Sequence, residues 1–174
     1  MLPRLTFILG GAASGKSNYA ETLAKGCDIL RIYMATAQAF DDEMTQKIAR
    51  HRAARAGDGW QTIEAPLDLP SALSETPPGA LVLVDCLTLW LSNVLLAERD
   101  EAADCDALMA ALSAHPGPLI VVSNETGQGI VPDTPLGRRF RNAQGRLNQR
   151  VAAEADLAVL VAAGLPLVLK GAVP

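Results

Sequence analysis

Eight consecutive residues carry the clearest chemistry in this chain. Gly10-Gly11-Ala12-Ala13-Ser14-Gly15-Lys16-Ser17 matches G-x-x-x-x-G-K-[ST] without a mismatch. Glycines let the backbone curl so that several N–H groups point at phosphate oxygens. A following helix adds its positive N-terminal end to the same oxygens. Lys16 is placed to reach β- and γ-phosphates, and the Ser17 hydroxyl is a ligand for Mg²⁺. The bland alternative is a glycine-rich turn that only joins a strand to a helix. A second candidate is Asp85, which ends the run Ala80-Leu-Val-Leu-Val. The C-terminal end of a buried strand is where a P-loop enzyme places its Mg²⁺-organising carboxylate. The competing reading has Asp85 capping a helix that begins near Thr88.

These groups need a frame, and the apolar pattern supplies one. Leu5–Leu9 reads as a buried strand before the glycine loop, and Ser17–Lys25 as a helix after it. Ile29–Ala35, Ala80–Val84 and Leu119–Ser123 are further short apolar runs bounded by turn residues. Asp41–Ala56 holds helix formers with no Gly or Pro, and Leu136–Ala155 is a long helical stretch expected to be interrupted near Gly145. Pro66–Gly79 is the most loop-like stretch, with room for a short helix. Runs that are apolar at every position suit strands covered on both faces, as in parallel sheets. Alternation with helices implies right-handed crossovers. The expectation is a three-layer α/β domain with a mostly parallel central sheet, formed by residues 1–174 as a single nucleotide-binding unit. Leu157–Ala162 and Leu165–Leu169 are separated only by Ala163-Gly164, which predicts a terminal hairpin and an antiparallel edge.

Composition narrows the function. With 174 residues, 49% hydrophobic and 20% charged, the chain is globular and of one-domain size. A net charge of −4 gives no general attraction for nucleic acid, so none is expected as a partner. Cys27, Cys86 and Cys105 form no CxxC pair and are odd in number, which fits a reducing compartment. With only His51 and His115, a histidine-based metal site has little to build on. The N-terminal apolar run is too short for a signal peptide, and no run approaches the roughly 18 apolar residues of a membrane span. A cytoplasmic, soluble protein is expected.

His51 follows Met44 and Ile48 at helical spacing, with Arg55 continuing the same face and Arg50 and Arg52 beside it. One reading is a half-buried structural histidine. The other is a nucleophile, since a neutral imidazole attacks phosphorus and splits one transfer into two. The residues alone leave both open.

Taken together, GGAASGKS at 10–17, Asp42-Glu43-Met44, IARHRAAR at 48–55, WQTIE at 60–64, VDCLTLWLSN at 84–93, SNETGQGIVP at 123–132 and FRNAQGRLNQ at 140–149 identify a resemblance across nearly the whole chain. The sequence resembles the bifunctional adenosylcobinamide kinase / adenosylcobinamide-phosphate guanylyltransferase family of cobalamin biosynthesis. The resemblance implies phosphorylation of the corrinoid adenosylcobinamide with ATP or GTP. Transfer of GMP from GTP follows, through a covalent histidine intermediate, giving adenosylcobinamide-GDP and pyrophosphate. It places that histidine at His51. It places nucleotide contacts at Gly10–Ser17, at Ala35, Thr36 and Ala37, at Arg52, Ala53, Ala54 and Arg55, at Glu64 and at Asp85. It also implies a RecA-like P-loop fold and a homotrimer. Two departures stand out: many members carry Arg where this chain has Ala13, and some have two adjacent histidines where this chain has Arg50 and His51.

Other residues receive roles from position. Asn124, Glu125, Gly127, Gln128 and Gly129 follow a strand end and are expected to line the cleft, to bind the corrinoid or to close over it. An ordinary strand-to-helix connection is the alternative. Arg138, Arg139, Arg141 and Arg146 read as a solvated helix face or as phosphate contacts at a subunit interface. Trp60 and Trp90 are expected to be packing anchors. A switch GTPase would be expected to show an N-K-x-D motif, which is absent. A plain small-molecule kinase with a structural His51 is the remaining competitor. One phosphate loop serving both γ-transfer and α-attack requires two nucleotide poses or a movement of the histidine segment.

Overall fold

The computed structural model describes residues 2–38 and 57–173. The helix expected over 41–56, which carries His51 and Arg52–Arg55, lies outside the described residues. Seven strands form one sheet: β1 (Leu5–Gly10), β2 (Arg31–Ala35), β3 (Trp60–Glu64), β4 (Leu81–Asp85), β5 (Leu119–Asn124), β6 (Leu157–Ala162) and β7 (Leu165–Lys170). Their order across the sheet is β3-β2-β4-β5-β1-β6-β7. All neighbours are parallel except β6 and β7, which pair antiparallel as expected.

Alternate residues of each strand point to opposite faces, and both faces are apolar. Phe7, Met34, Val84, Val121 and Ala158 belong to one cluster, and Ile8, Tyr33, Leu83, Ile120 and Val159 to the other. The second face is covered by α1 (Lys16–Lys25), through Ala20 and Ala24. The first is covered by α2 (Leu69–Ser74), α3 (Leu87–Leu96), α4 (Glu101–Ala114) and α5 (Pro135–Glu154). This is the three-layer arrangement that continuous apolar strands demand. Trp90 on α3 is fully buried and its indole N–H donates to Leu67 O at 2.9 Å, as befits a packing anchor. Trp60 packs edge-on against Tyr33, with centroids 5.9 Å apart and planes at 90°.

One expectation fails and two elements were not foreseen. The long helix is not interrupted at Gly145: α5 runs unbroken from Pro135 to Glu154. Its stripe of Ala143, Leu147 and Val151 packs on the core and outweighs the roughly 1 kcal/mol propensity cost of one glycine. A Cβ at Gly145 would meet nothing within 4 Å, because the residue lines a groove of about 300 Å³ bounded by Phe7, Leu9, Glu125 and Gln149. The segment 101–114 forms α4, started by the Asp100 carboxylate accepting from the amides of Ala102 and Ala103 at 3.0 and 3.2 Å. The polar run WQTIE forms the edge strand β3, with every residue at least partly exposed. The turn between β6 and β7 is the expected two-residue one, with Ala163 and Gly164 both at positive φ (52° and 80°), the geometry that suits a twisted hairpin.

Candidate nucleotide site

Parallel strands bring their C-terminal ends to one edge of the sheet, and those sequence-predicted groups that lie among the described residues gather there. Gly10 ends β1 in register with Asn124 of β5. Asp85 ends β4, level with Ala35 of β2, which is level in turn with Glu64 of β3. Glu64, Ala35 and Asp85 thus stand in a row on three adjacent strands. The last strand before β1 in that row is β5, which separates Asp85 from the glycine loop.

The glycine loop is tightly curled. Ser14 N–H returns to Gly11 O at 3.3 Å, and Gly15 enters α1 with φ 91°, ψ 3°, a left-handed conformation that favours glycine. A Cβ at Gly10 would collide with the Ser14 hydroxyl and stand 2.6 Å from Val161 O, so close backbone approach requires glycine here. Ser14 Oγ is itself buried without a partner. The loop is braced from the sheet edge by Gly164, whose N–H donates to Ser14 O at 2.8 Å. Lys16 lies over the loop with Nζ donating to Gly11 O at 3.1 Å. No side chain caps α1 and no acid sits in its first turn. By contrast, α4 and α5 are capped by Asp100 and Thr134. The first amides of α1, like those of α2 and α3, carry no side-chain cap, and at α1 alone the glycine loop precedes them, a position that suits an anion.

Asp85 is half-buried, and its Oδ2 accepts from the Tyr33 hydroxyl at 2.8 Å. Tyr33 was not singled out from sequence; as an apolar-run residue on β2 it looked like core. Thr36 is fully buried, and its hydroxyl both donates to Cys86 O at 2.7 Å and accepts from Cys86 N at 2.8 Å. Asn93 Nδ2 donates to Thr36 O at 2.8 Å. Thr36 thus pins the β4 end that carries Asp85, while its neighbours Ala35 and Ala37 are half-exposed. The N-cap of α3 is Cys86 and not Asp85, so the helix-cap alternative for Asp85 falls. Burial, then the adjacent Asp85 charge, push the Cys86 thiol up to about 11. Cys105 is likewise pushed up to about 11 by burial and by Glu101. Neither is a nucleophile at neutral pH.

His115 is buried at the other end of the molecule, just before β5 begins. The Gly117 amide donates to Nδ1 at 3.1 Å, and Thr76 Oγ1 lies 2.9 Å from Nε2. Nδ1 also lies 3.0 Å from Gly117 O, and the Thr76 hydroxyl donates to Leu73 O at 2.8 Å. Both ring nitrogens hold structure together. Three arginines of α5 have partners within the chain: Arg139 and Arg146 both pair with Glu101, at 3.2 and 3.1 Å, and Arg138 donates to the carbonyls of Pro132 and Asp133. In the 124–132 loop, Asn124 and Glu125 are half-buried and Gly127–Val131 exposed. Glu125 Oε1 accepts from Gly127 N at 2.6 Å.

One feature escaped sequence reading: a buried polar network between α3, β5 and α5. Ser123 Oγ donates to Asn148 Oδ1 at 2.7 Å, Gln144 Nε2 donates to Ser123 Oγ and to Asn148 Oδ1 at 2.9 Å each, and Thr88 Oγ1 accepts from Asn124 N at 2.7 Å. The available signal was two carboxamides four residues apart, Gln144 and Asn148, on the same face as the buried stripe of α5.

Residues 6–169 match the family model described as CobU: Cobinamide kinase / cobinamide phosphate guanyltransferase. The chain belongs to this family. As a family member it is 48% identical over 167 residues to the bifunctional adenosylcobalamin biosynthesis protein CobP of Pseudomonas aeruginosa, covering 94% of this chain and 96% of the relative. It is 35% identical over 182 residues to the bifunctional adenosylcobalamin biosynthesis protein CobU of Escherichia coli, covering 95% and 99%. Among solved structures, it resembles the ATPase of a type III secretion system of pathogenic bacteria, with a TM-score of 0.53 and 12% identity. That likeness covers 91% of this chain but only 51% of the ATPase, so the chain spans about half its length. At that identity the likeness shows the fold alone, an α/β domain around a mostly parallel sheet. No described helix is long and apolar enough to cross a membrane.

Proposed function

We propose that this chain is a bifunctional transferase that phosphorylates adenosylcobinamide with ATP or GTP and then transfers GMP from GTP to that phosphate by way of His51. The observation that carries the reading is the meeting of a complete glycine-lysine-serine loop with Asp85 at one sheet edge, in a chain of this family. The loop amides and Lys16 hold the phosphates and stabilise charge on the transferring γ-phosphoryl. A magnesium ion fits the donors present: one hydroxyl on Ser17 and one carboxylate on Asp85, with Oδ2 already steadied by Tyr33. Hard oxygen donors few in number suit Mg²⁺, which keeps waters and phosphate oxygens as its remaining ligands. It would neutralise phosphate charge there. The wider nucleotide contact set is Ala35 through Ala37, Arg52 through Arg55 and Glu64.

For the guanylyl step, the imidazole of His51 attacks the α-phosphorus. A P–N bond forms, the α–β P–O bond breaks and pyrophosphate leaves. The corrinoid phosphate oxygen then attacks the same phosphorus, the P–N bond breaks and neutral imidazole returns. Support for His51 comes from its rival: of the chain's two histidines, His115 is buried with both nitrogens engaged away from the phosphate loop. The same reading takes residues 1–174 as one nucleotide-binding domain working as a cytoplasmic homotrimer. Incubation with GTP labelled at the α-phosphate should leave acid-labile, alkali-stable label on the protein, and His51→Ala should abolish it. Label retained in His51→Ala, or none on protein that makes adenosylcobinamide-GDP, would overturn the assignment.

A further inference from the structure

Asp85 has two separate supports, one under its backbone and one on its side chain. Residues alternate faces along β4: Leu81 and Leu83 pack in the cluster under α1, whereas Val82 and Val84 pack under the other helices. Asp85 continues the first set, so its carboxylate lies on the face of the sheet where α1 carries Ser17. The backbone just past it is clamped. The Thr36 hydroxyl bonds both the amide and the carbonyl of Cys86, and Asn93 Nδ2 donates to Thr36 O and Pro66 O at 2.8 and 2.9 Å.

The side chain is held from β2. Tyr33 is level with Leu83, one step behind Asp85 on the same face, and its hydroxyl donates to Asp85 Oδ2 at 2.8 Å. Tyr33 is only 5% exposed, and its ring is wedged edge-on against Trp60 of β3. The donor therefore comes from a packed ring and not from a flexible chain. An ionised carboxylate only accepts hydrogen bonds, and it has two oxygens to offer. A donor fixed on Oδ2 sets the rotation of the group and leaves Oδ1 to ligate a cation. A phenol carries no charge, so the carboxylate keeps its own for that cation. Such outer partners of a metal-binding carboxylate orient it and tune its affinity.

We propose that Tyr33 is a positioning residue for the metal of the bound nucleotide: its hydroxyl locks the Asp85 carboxylate so that Oδ1 is kept for the magnesium ion. The proposal rests on the reading of Asp85 as a metal ligand given above. The test measures the affinity of the full chain for a non-hydrolysable GTP analogue, once with Mn²⁺ standing in for Mg²⁺ and once with all metal chelated. The ratio of the two affinities is what the metal adds, and it is internal to each folded chain, so a change in stability does not enter it. Tyr33→Phe, which keeps the ring against Trp60, should cut the ratio about tenfold and leave the metal-free affinity unchanged. Asp85→Asn should cut it further. Adding Tyr33→Phe to Asp85→Asn should bring no additional fall, as expected of a group that acts through the carboxylate. A wild-type ratio in Tyr33→Phe while Asp85→Asn loses it would overturn the proposal and leave Asp85 as the metal ligand. So would an equal additional fall in the double variant, or a Tyr33→Phe loss that is the same with and without metal. A wild-type ratio in Asp85→Asn would take the carboxylate away from the metal and remove both readings together.

Discussion

Strands β5 and β7 are both six residues long and both rich in leucine, isoleucine or valine, yet their surroundings are opposite. In β5 the residues Leu119–Ser123 are buried and only Asn124 reaches the surface. In β7 all six residues are exposed, with Leu165 at 72% and Leu167 at 58%. The difference is position in the sheet. β5 has a parallel neighbour on each side and helices above and below, whereas β7 pairs only with β6 and ends the sheet. Pro166 and Lys170 in β7 are the residues that blunt an open edge. Hydrophobic content alone therefore does not tell a core strand from a border strand; sheet order does, and the candidate site lies where that order is most enclosed.

The sharpest way to break this contrast is at its central end. Lys16→Ala should cut cobinamide phosphorylation about a thousandfold, roughly 4 kcal/mol of transition-state stabilisation, while leaving the unfolding midpoint in place. Phosphorylation at the wild-type rate would remove the phosphate loop from the chemistry. Next in size, Leu119→Ala in β5 should lower stability by about 2–5 kcal/mol in urea unfolding. Its counterpart Leu167→Ala in β7 should cost under about 0.5 kcal/mol. A comparable loss at both positions would mean that β7 is covered in solution by another copy of the chain. The smallest effect concerns Lys170, whose Nζ donates to Ala152 O and Ala153 O in the last turn of α5, at 3.3 and 2.7 Å. Lys170→Ala should cost about 0.3–1 kcal/mol, diminishing in high salt, by removing a cation from a helix C-terminus.

Much of this was legible in the residues. β1, β4 and β5 are continuous apolar runs, α1 follows the glycine loop, and Ala163-Gly164 is short enough to force a hairpin. The candidate site was legible where chemistry needs a fixed string, as in Gly10–Ser17, or a strand terminus, as in Asp85. What escaped was set by tertiary context. WQTIE has too few consecutive apolar residues to announce a strand, because an edge strand needs little cover. The 101–114 helix carried its signal in the Asp100 cap and the stripe Cys105, Leu108, Leu112, not in a long apolar run. The break expected at Gly145 weighed local propensity and missed the packing on either side. Gln144, Asn148, Ser123 and Thr88 are distant in sequence, so a network among them becomes visible only once α3, β5 and α5 meet.

The hydrogen bond from Gly164 to Ser14 joins two turns about 150 residues apart in sequence. Gly15 sits so near Gly164 that a Cβ on it would stand 3.1 Å from the Gly164 Cα. During synthesis, then, the phosphate cradle waits for the β6–β7 hairpin to leave the ribosome before its wall is complete. A nascent chain halted short of that hairpin would own every residue of the motif and still lack the brace that shapes it.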